Sequence, residues 1–204
     1  ISFATPVSFS SGPGTRAVVI SDLDSDGKPD IAAAVENTNK VAVFRNTSSV
    51  GLISFDPRVE LSGGTRPWGI AVGDFDGDGK PDLVCPNNGS LNASVFRNIS
   101  TPGIINFSPN INLSVGEFPQ KVAVTDLDGD GNLDLAITNN TGFNSIVSLY
   151  KNASTSGSIQ FLPKVDFVIG AGPTAVTIGD MDGDGLPDIG ATARNGNAIS
   201  ILRN

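Results

Sequence analysis

Four nine-residue stretches carry the chemistry in this chain: DLDSDGKPD from Asp22, DFDGDGKPD from Asp74, DLDGDGNLD from Asp126 and DMDGDGLPD from Asp180. Each crowds four carboxylates together, although two carboxylates about 4 Å apart repel by about 4 kcal/mol at an effective dielectric near 20. A cation removes the conflict. In DxDxDGxxD the Asp residues at places one, three and five point to a common centre when the backbone curls, and Gly at place six permits the sharp turn. Place seven contributes a backbone carbonyl, so its side chain is free to vary, as Lys28, Lys80, Asn132 and Leu186 do. Asp30, Asp82, Asp134 and Asp188 at place nine supply the last carboxylate. Such all-oxygen, strongly negative ligation suits Ca²⁺ better than Mg²⁺, which keeps more of its water. The helix-flanked EF-hand loop also starts DxDxDG but needs Glu at place twelve. Here place twelve is Ala33, Cys85, Ile137 and Ala191, and the flanks read as strands.

The formal charge is −8, from 21 acidic and 13 basic residues, and 16 of the acids lie in the four stretches. One divalent cation per stretch would bring the total to zero, so the acidity is local and does not signal basic partners. The Lys and Arg residues are scattered, which argues against nucleic acid. No apolar run approaches a membrane span, and nothing reads as a signal peptide. The chain opens at Ile1 without Met, as an excised, processed or incomplete piece of a longer protein would. Cys85 stands alone, which excludes an internal disulfide.

The elements that must position these stretches repeat with them. The first Asp falls at 22, 74, 126 and 180, steps of 52, 52 and 54. An ISF-like marker at Ile1, Ile53, Ile105 and Ile159 keeps the same steps, and so does a marker ending at Asn46, Asn98, Asn152 and Asn204 (FRN, FRN, YKN, LRN). Four units follow, 1–52, 53–104, 105–158 and 159–204, read as one domain over 1–204. Within each, the apolar pattern is short and β-like: a β-branched run before the Asp stretch, an alternating run after it, an Asn/Gly turn, a strand such as VAVFRN, and a fourth strand opened by the ISF-like marker. Four-stranded antiparallel units of this length imply an all-β fold, a β-propeller of four blades. With strands lettered A to D from the axis outward, the chain opens on a D strand and stops after a C strand. Pairing of those ends would close the ring; the same ends could instead pair between molecules or with further blades.

On these loops the chain resembles the FG-GAP/VCBS repeat family and is similar to the integrin α-subunit propeller, over essentially all of its length. The resemblance implies Ca²⁺ held between strands A and B at four sites. These are Asp22, Asp24, Asp26, the Lys28 carbonyl and Asp30; Asp74, Asp76, Asp78, Lys80 and Asp82; Asp126, Asp128, Asp130, Asn132 and Asp134; and Asp180, Asp182, Asp184, Leu186 and Asp188. Propellers of this family commonly have seven blades, a departure from the four counted here.

Strand direction places the A–B and C–D loops on one side and the D–A and B–C loops on the other. On that second side the units diverge: one equivalent position is Arg16, Trp68, Gln120 and Thr174. Trp68, the sole Trp, can stack on a sugar or anchor a protein contact, and Phe118 and Phe143 break the repeat pattern on the same side. Phe3, Phe55, Phe107 and Phe161 read as register-matched core. With no His, the usual triads and most zinc sites are absent. The acids outside the loops do not cluster, so no enzyme is expected. The expectation is an extracellular, calcium-binding module for a protein or cell-surface partner, with a glycan-binding module as the alternative and a passive spacer or a polysaccharide-active enzyme behind it. An oligomer through end-strand pairing is compatible with it.

Overall fold

Short β-branched runs bounded by Gly, Pro and Asp favour strands over helices. In the computed structural model, which describes residues 1–142 and 144–204, they form fifteen. The strands group into sheets whose fourth strand comes from the start of the next sequence unit: the first sheet holds β1 (Thr15–Ser21), β2 (Asp30–Val35), β3 (Lys40–Phe44) and β4 (Val59–Ser62). The second holds β5 (Ala71–Gly73), β6 (Asp82–Asn87), β7 (Asn92–Phe96) and β8 (Ile111–Ser114). The third holds β9 (Pro119–Thr125), β10 (Asp134–Asn139), β11 (Ile146–Tyr150) and β12 (Val165–Val168). The fourth holds β13 (Val176–Gly179), β14 (Asp188–Ala193) and β15 (Ala198–Leu202). Each sheet is antiparallel with its strands in chain order, four-stranded in the first three and three-stranded in the last. Among the described residues helix is confined to two single 3-10 turns, Glu36–Thr38 and Arg194–Gly196, both between the second and third strands of their sheets.

The alternation expected after each Asp stretch gives way to burial on both faces: β6 and β10 are buried throughout, and β2 everywhere but Ile31. The cause is that the sheets stack face to face. Leu23, Ala32, Val41 and Val43 of the first unit pack with Ile70, Leu83 and Phe96 of the second. Phe75, Val84 and Val95 pack in turn with Leu135, Ile137 and Tyr150, and Ala136 and Val147 with Ile169 and Ile189. Burying each Val, Leu, Ile or Phe among them contributes about 1.5–3 kcal/mol, so the contacts between sheets hold the array together.

Two expectations are corrected. The fourth strand does not open on the ISF-like marker: Phe55, Phe107 and Phe161 make single bridges to Asn46, Asn98 and Asn152, and the strand starts a few residues later. The N-terminal segment does not pair with the last strand either. Among the described residues β15 has β14 as its one neighbour, and Ile1–Ser10 form no strand and lie exposed, Phe3 with them. Instead Phe9 meets Phe55 edge-on at 5.0 Å, and Arg58 donates to the Ser10 carbonyl at 3.1 Å.

Candidate metal centres and the opposite face

Each Asp stretch connects the first two strands of its sheet, and its curl is made by carboxylates accepting backbone N–H groups. In the first loop Asp22 accepts from Asp26 at 3.1 Å and from Gly27 at 2.9 Å, Asp24 from Asp26 at 3.1 Å, and Asp26 from Lys28 at 2.9 Å. Gly at place six has φ between 84° and 89° in all four loops, left-handed backbone that strains any side chain. One ligand oxygen from each of three Asp residues converges in every loop, all within 4.8 Å of one another: Asp22, Asp24 and Asp30; Asp74, Asp76 and Asp78; Asp126, Asp128 and Asp134; Asp180, Asp182 and Asp188. The backbone N–H of the place-seven residues Lys28, Lys80, Asn132 and Leu186 donates to the place-five Asp. The Lys80 side chain turns away to the Ser100 carbonyl at 2.9 Å.

The place-nine carboxylate is also a brace. Asp82 accepts from the backbone N–H of Phe75 at 2.9 Å and of Asn98 at 2.7 Å, tying the two ends of its loop to each other and to the chain just past the third strand. Asp30, Asp134 and Asp188 repeat that pair of bonds. Burial pushes the Asp82 carboxyl up to about 7, with the two N–H bonds opposing and Asp76 and Asp78 adding to the rise. Asp30 and Asp134 are raised for the same leading reason. Asp188, at the open end of the array, is instead held low, first by the Asn204 N–H.

Two residue sets at these loops escaped the sequence reading, though both lie in the marker used to find the register. Its basic residue reaches the place-three and place-five Asp in every unit. Arg45 bonds Asp24 at 2.8 Å and Asp26 at 3.1 Å, Arg97 bonds Asp76 and Asp78 at 2.5 Å each, Lys151 pairs with Asp128 and Asp130, and Arg203 with Asp182 and Asp184. Its Asn links neighbouring units. The Asn98 amide donates to the place-two carbonyl of the preceding loop, Leu23, at 2.8 Å, and to Pro81 of its own loop at 2.8 Å. Asn152 and Asn204 do likewise with Phe75 and Leu127. The third-to-fourth-strand loop adds a bond, from the Gly103 N–H to Asp24 at 2.9 Å and from Gly157 to Asp76 at 3.0 Å. Those loops therefore share the side of the Asp stretches, as strand direction implies.

On the opposite side the structure brings together two of the singled-out residues. The Arg16 guanidinium lies 4.1 Å from the centre of the half-buried Trp68 ring, with Arg66 at 5.7 Å. The buried Glu36 carboxylate clamps both arginines, Arg66 at 2.8 Å and Arg16 beside it. Arg66 draws the Glu36 carboxyl below its ordinary range, burial opposes this, and Arg16 adds to the lowering. Neither Glu36 nor Arg66 stands out in the sequence, since they meet only when the first two sheets stack. Phe118 is exposed with φ at 47°, and Gln120 lies on β9. Among the described residues neither is bonded to the Arg16–Trp68 cluster. Phe143 lies outside the described residues.

Stacked antiparallel sheets, each with an acidic loop of converging carboxylates on the same side, define an all-β repeat protein with metal-type loops. The FG-GAP-like repeat model matches residues 22–85, 74–137 and 126–191, each match running from one Asp stretch through the next. The chain belongs to the FG-GAP-like repeat family. A search of curated proteins returned no match.

Proposed function

We propose that this chain is a calcium-stabilised, extracellular β-propeller module that binds a protein or cell-surface partner through the side opposite its acidic loops. The observation that carries the metal reading is the fourfold convergence of carboxylate oxygens within 4.8 Å. The donor set fits: every side-chain candidate is a hard oxygen, Gly at place six permits the curl, and the one or two basic residues at each loop leave a negative excess over its four Asp. Asp at places one, three, five and nine and the place-seven carbonyl would hold Ca²⁺, which supplies no reaction and neutralises the loop between the first two strands. Arg45, Arg97, Lys151 and Arg203 orient the carboxylates from behind, as outer-shell partners do. FG-GAP repeats are a binding and structural kind of repeat, which favours a binding module over an enzyme.

Chelation tests this reading. EDTA is expected to lower the melting temperature strongly, Ca²⁺ to restore it and Mg²⁺ to restore it poorly, with metal analysis finding four ions per chain. An unchanged melt overturns it. Extracellular modules of this type often bind at about 10⁻⁴ to 10⁻³ M, which matches calcium outside cells. Among the described residues no helix is long and apolar enough to cross a membrane.

The Arg16–Trp68–Arg66 cluster supports a protein partner, because Trp and Arg are the residues that most often dominate such interfaces. Arg16 already covers one face of the ring, which leaves less of it for a sugar. Pull-down from the native source with Trp68→Ala as control is expected to lose the partner, whereas a glycan-array signal abolished by Trp68→Ala would favour the lectin-like alternative.

A further inference from the structure

We infer that the side opposite the acidic loops holds an anchor for an acidic protein segment, with the Arg16–Arg66 pair taking a carboxylate and Phe118 an apolar side chain beside it. The inference rests on the partner-binding reading above and adds the chemistry of the partner.

The backbone singles out two of these residues. In every unit the turn before the first strand meets the turn between the second and third strands through one bond. Glu36 N–H donates to the Gly14 carbonyl at 2.9 Å, Asn88 to Arg66 at 2.8 Å, Asn140 to Phe118 at 3.2 Å and Arg194 to Gly172 at 3.1 Å. The accepting residue is left-handed each time, with φ of 80° at Gly14, 54° at Arg66, 47° at Phe118 and 72° at Gly172. Glycine takes that conformation freely, whereas a side chain is strained there. The second and third units nevertheless hold Arg and Phe.

The facing turn changes with them. A Cβ on Gly14 would fall 2.8 Å from the Asn37 side chain, and one on Gly172 2.8 Å from that of Asn195. The residue equivalent to Asn37 in the second unit is Gly89, and a Cβ there would meet Arg66 Cγ at 3.0 Å. The facing residue is cut back where the long side chain enters. Strain kept where the other units use glycine, with room made for the side chain, points to a site.

Asn88 fixes Arg66 and Phe118 relative to each other. It is buried, its N–H takes the Arg66 carbonyl, and its amide donates to the Pro119 carbonyl at 3.3 Å. Arg66 and Phe118 thus stand on either side of one residue, both half-exposed. Their sheets, the second and third, are each packed between two others, so this exposure belongs to the face itself.

Charge selects the occupant. Glu36 takes up Nε and Nη2 of both Arg16 and Arg66. Among the described residues neither Nη1 has an acceptor. Two guanidinium groups on one carboxylate keep a positive excess, and their planar forks suit a second carboxylate. The chain carries −8, yet the turns on this side and the strand residues next to them hold Arg16, Lys40, Arg66 and Arg194 against Glu36 and Glu117. Phe118 and the half-buried Trp68 add apolar contact of the kind that anchors a peptide side chain.

A peptide array probed in Ca²⁺ buffer tests the inference. Peptides with one Asp or Glu next to Phe, Leu or Trp are expected to bind, the same peptides with Asn or Gln to fail, and heparin not to compete. Phe118→Gly should weaken the best-bound peptide about tenfold or more while the melting temperature holds or rises, an outcome that separates lost contact from lost fold. Arg66→Gln should weaken it as much, and Arg66→Lys should not restore it, since an ammonium lacks the fork. Binding that ignores the acid, or that survives Phe118→Gly or Arg66→Gln, overturns the inference. Competition by heparin also overturns it and makes the site one for an anionic glycan. A Trp68-dependent native partner that acidic peptides do not displace overturns it while the partner-binding reading stands; no partner and no bound peptide overturns both.

Discussion

A carboxylate whose two oxygens both accept backbone N–H bonds braces its loop whatever else it binds, and Asp82 does so from full burial. Asn is nearly isosteric with Asp but turns one oxygen into a donor, so the Phe75 or the Asn98 N–H must then face another donor. Leaving such a buried group unsatisfied costs about 1–3 kcal/mol. Burial, Asp76 and Asp78 disfavour the charge that Asn removes, so in EDTA this cost is partly offset, and denaturant melts are expected to show Asp82→Asn losing more stability with Ca²⁺ present than with EDTA. At the same scale, burial raises the Cys85 thiol, which donates to the Gly69 carbonyl at 3.0 Å. A thiol reagent should label it at the rate of unfolding and not before.

Between elements, the bonds that matter join one sheet to the next. Asn98 spans two units and is fully buried, whereas Asn46 bonds within its own. Asn98→Ala is expected to cost roughly 1–3 kcal/mol and Asn46→Ala less, a ranking that thermal melts of the two variants can check. Glu36 likewise ties β1 and the loop before β5 through Arg16 and Arg66. Its carboxyl is held below the ordinary 4.5, chiefly by Arg66. A carboxylate lowered on folding stabilises fully above its unfolded pKa, and the gain is lost as pH falls through the folded value. The stability gap between the native chain and Glu36→Gln should thus be full at pH 7 and shrink below about pH 4.5, as urea melts across that range would show.

For the molecule as a whole, stability is distributed over contacts between neighbours, as in other repeat arrays. Metal removal should therefore be felt in every unit at once, since each loop ties the first two strands of its sheet and touches the next. Within residues 1–204 the first and last sheets carry the exposed Val18 and Ile199, whereas the equivalent Ile70 and Val41 are buried between sheets.

The repeat, its register and the acidic loops were legible in the residues because they are local. Four Asp at fixed offsets, a Gly where φ is positive and β-branched runs between turns express themselves over a few residues, four times over. The basic residue behind each loop was equally repeated, and its role stayed hidden because it meets its Asp partners about twenty residues away. Burial of the central strands on both faces, the joining of Glu36 with Arg16, Arg66 and Trp68, and the failure of the N-terminal segment to reach β15 all depend on the angle at which one sheet packs on the next. That angle is set by many side chains together, and no nine-residue pattern contains it.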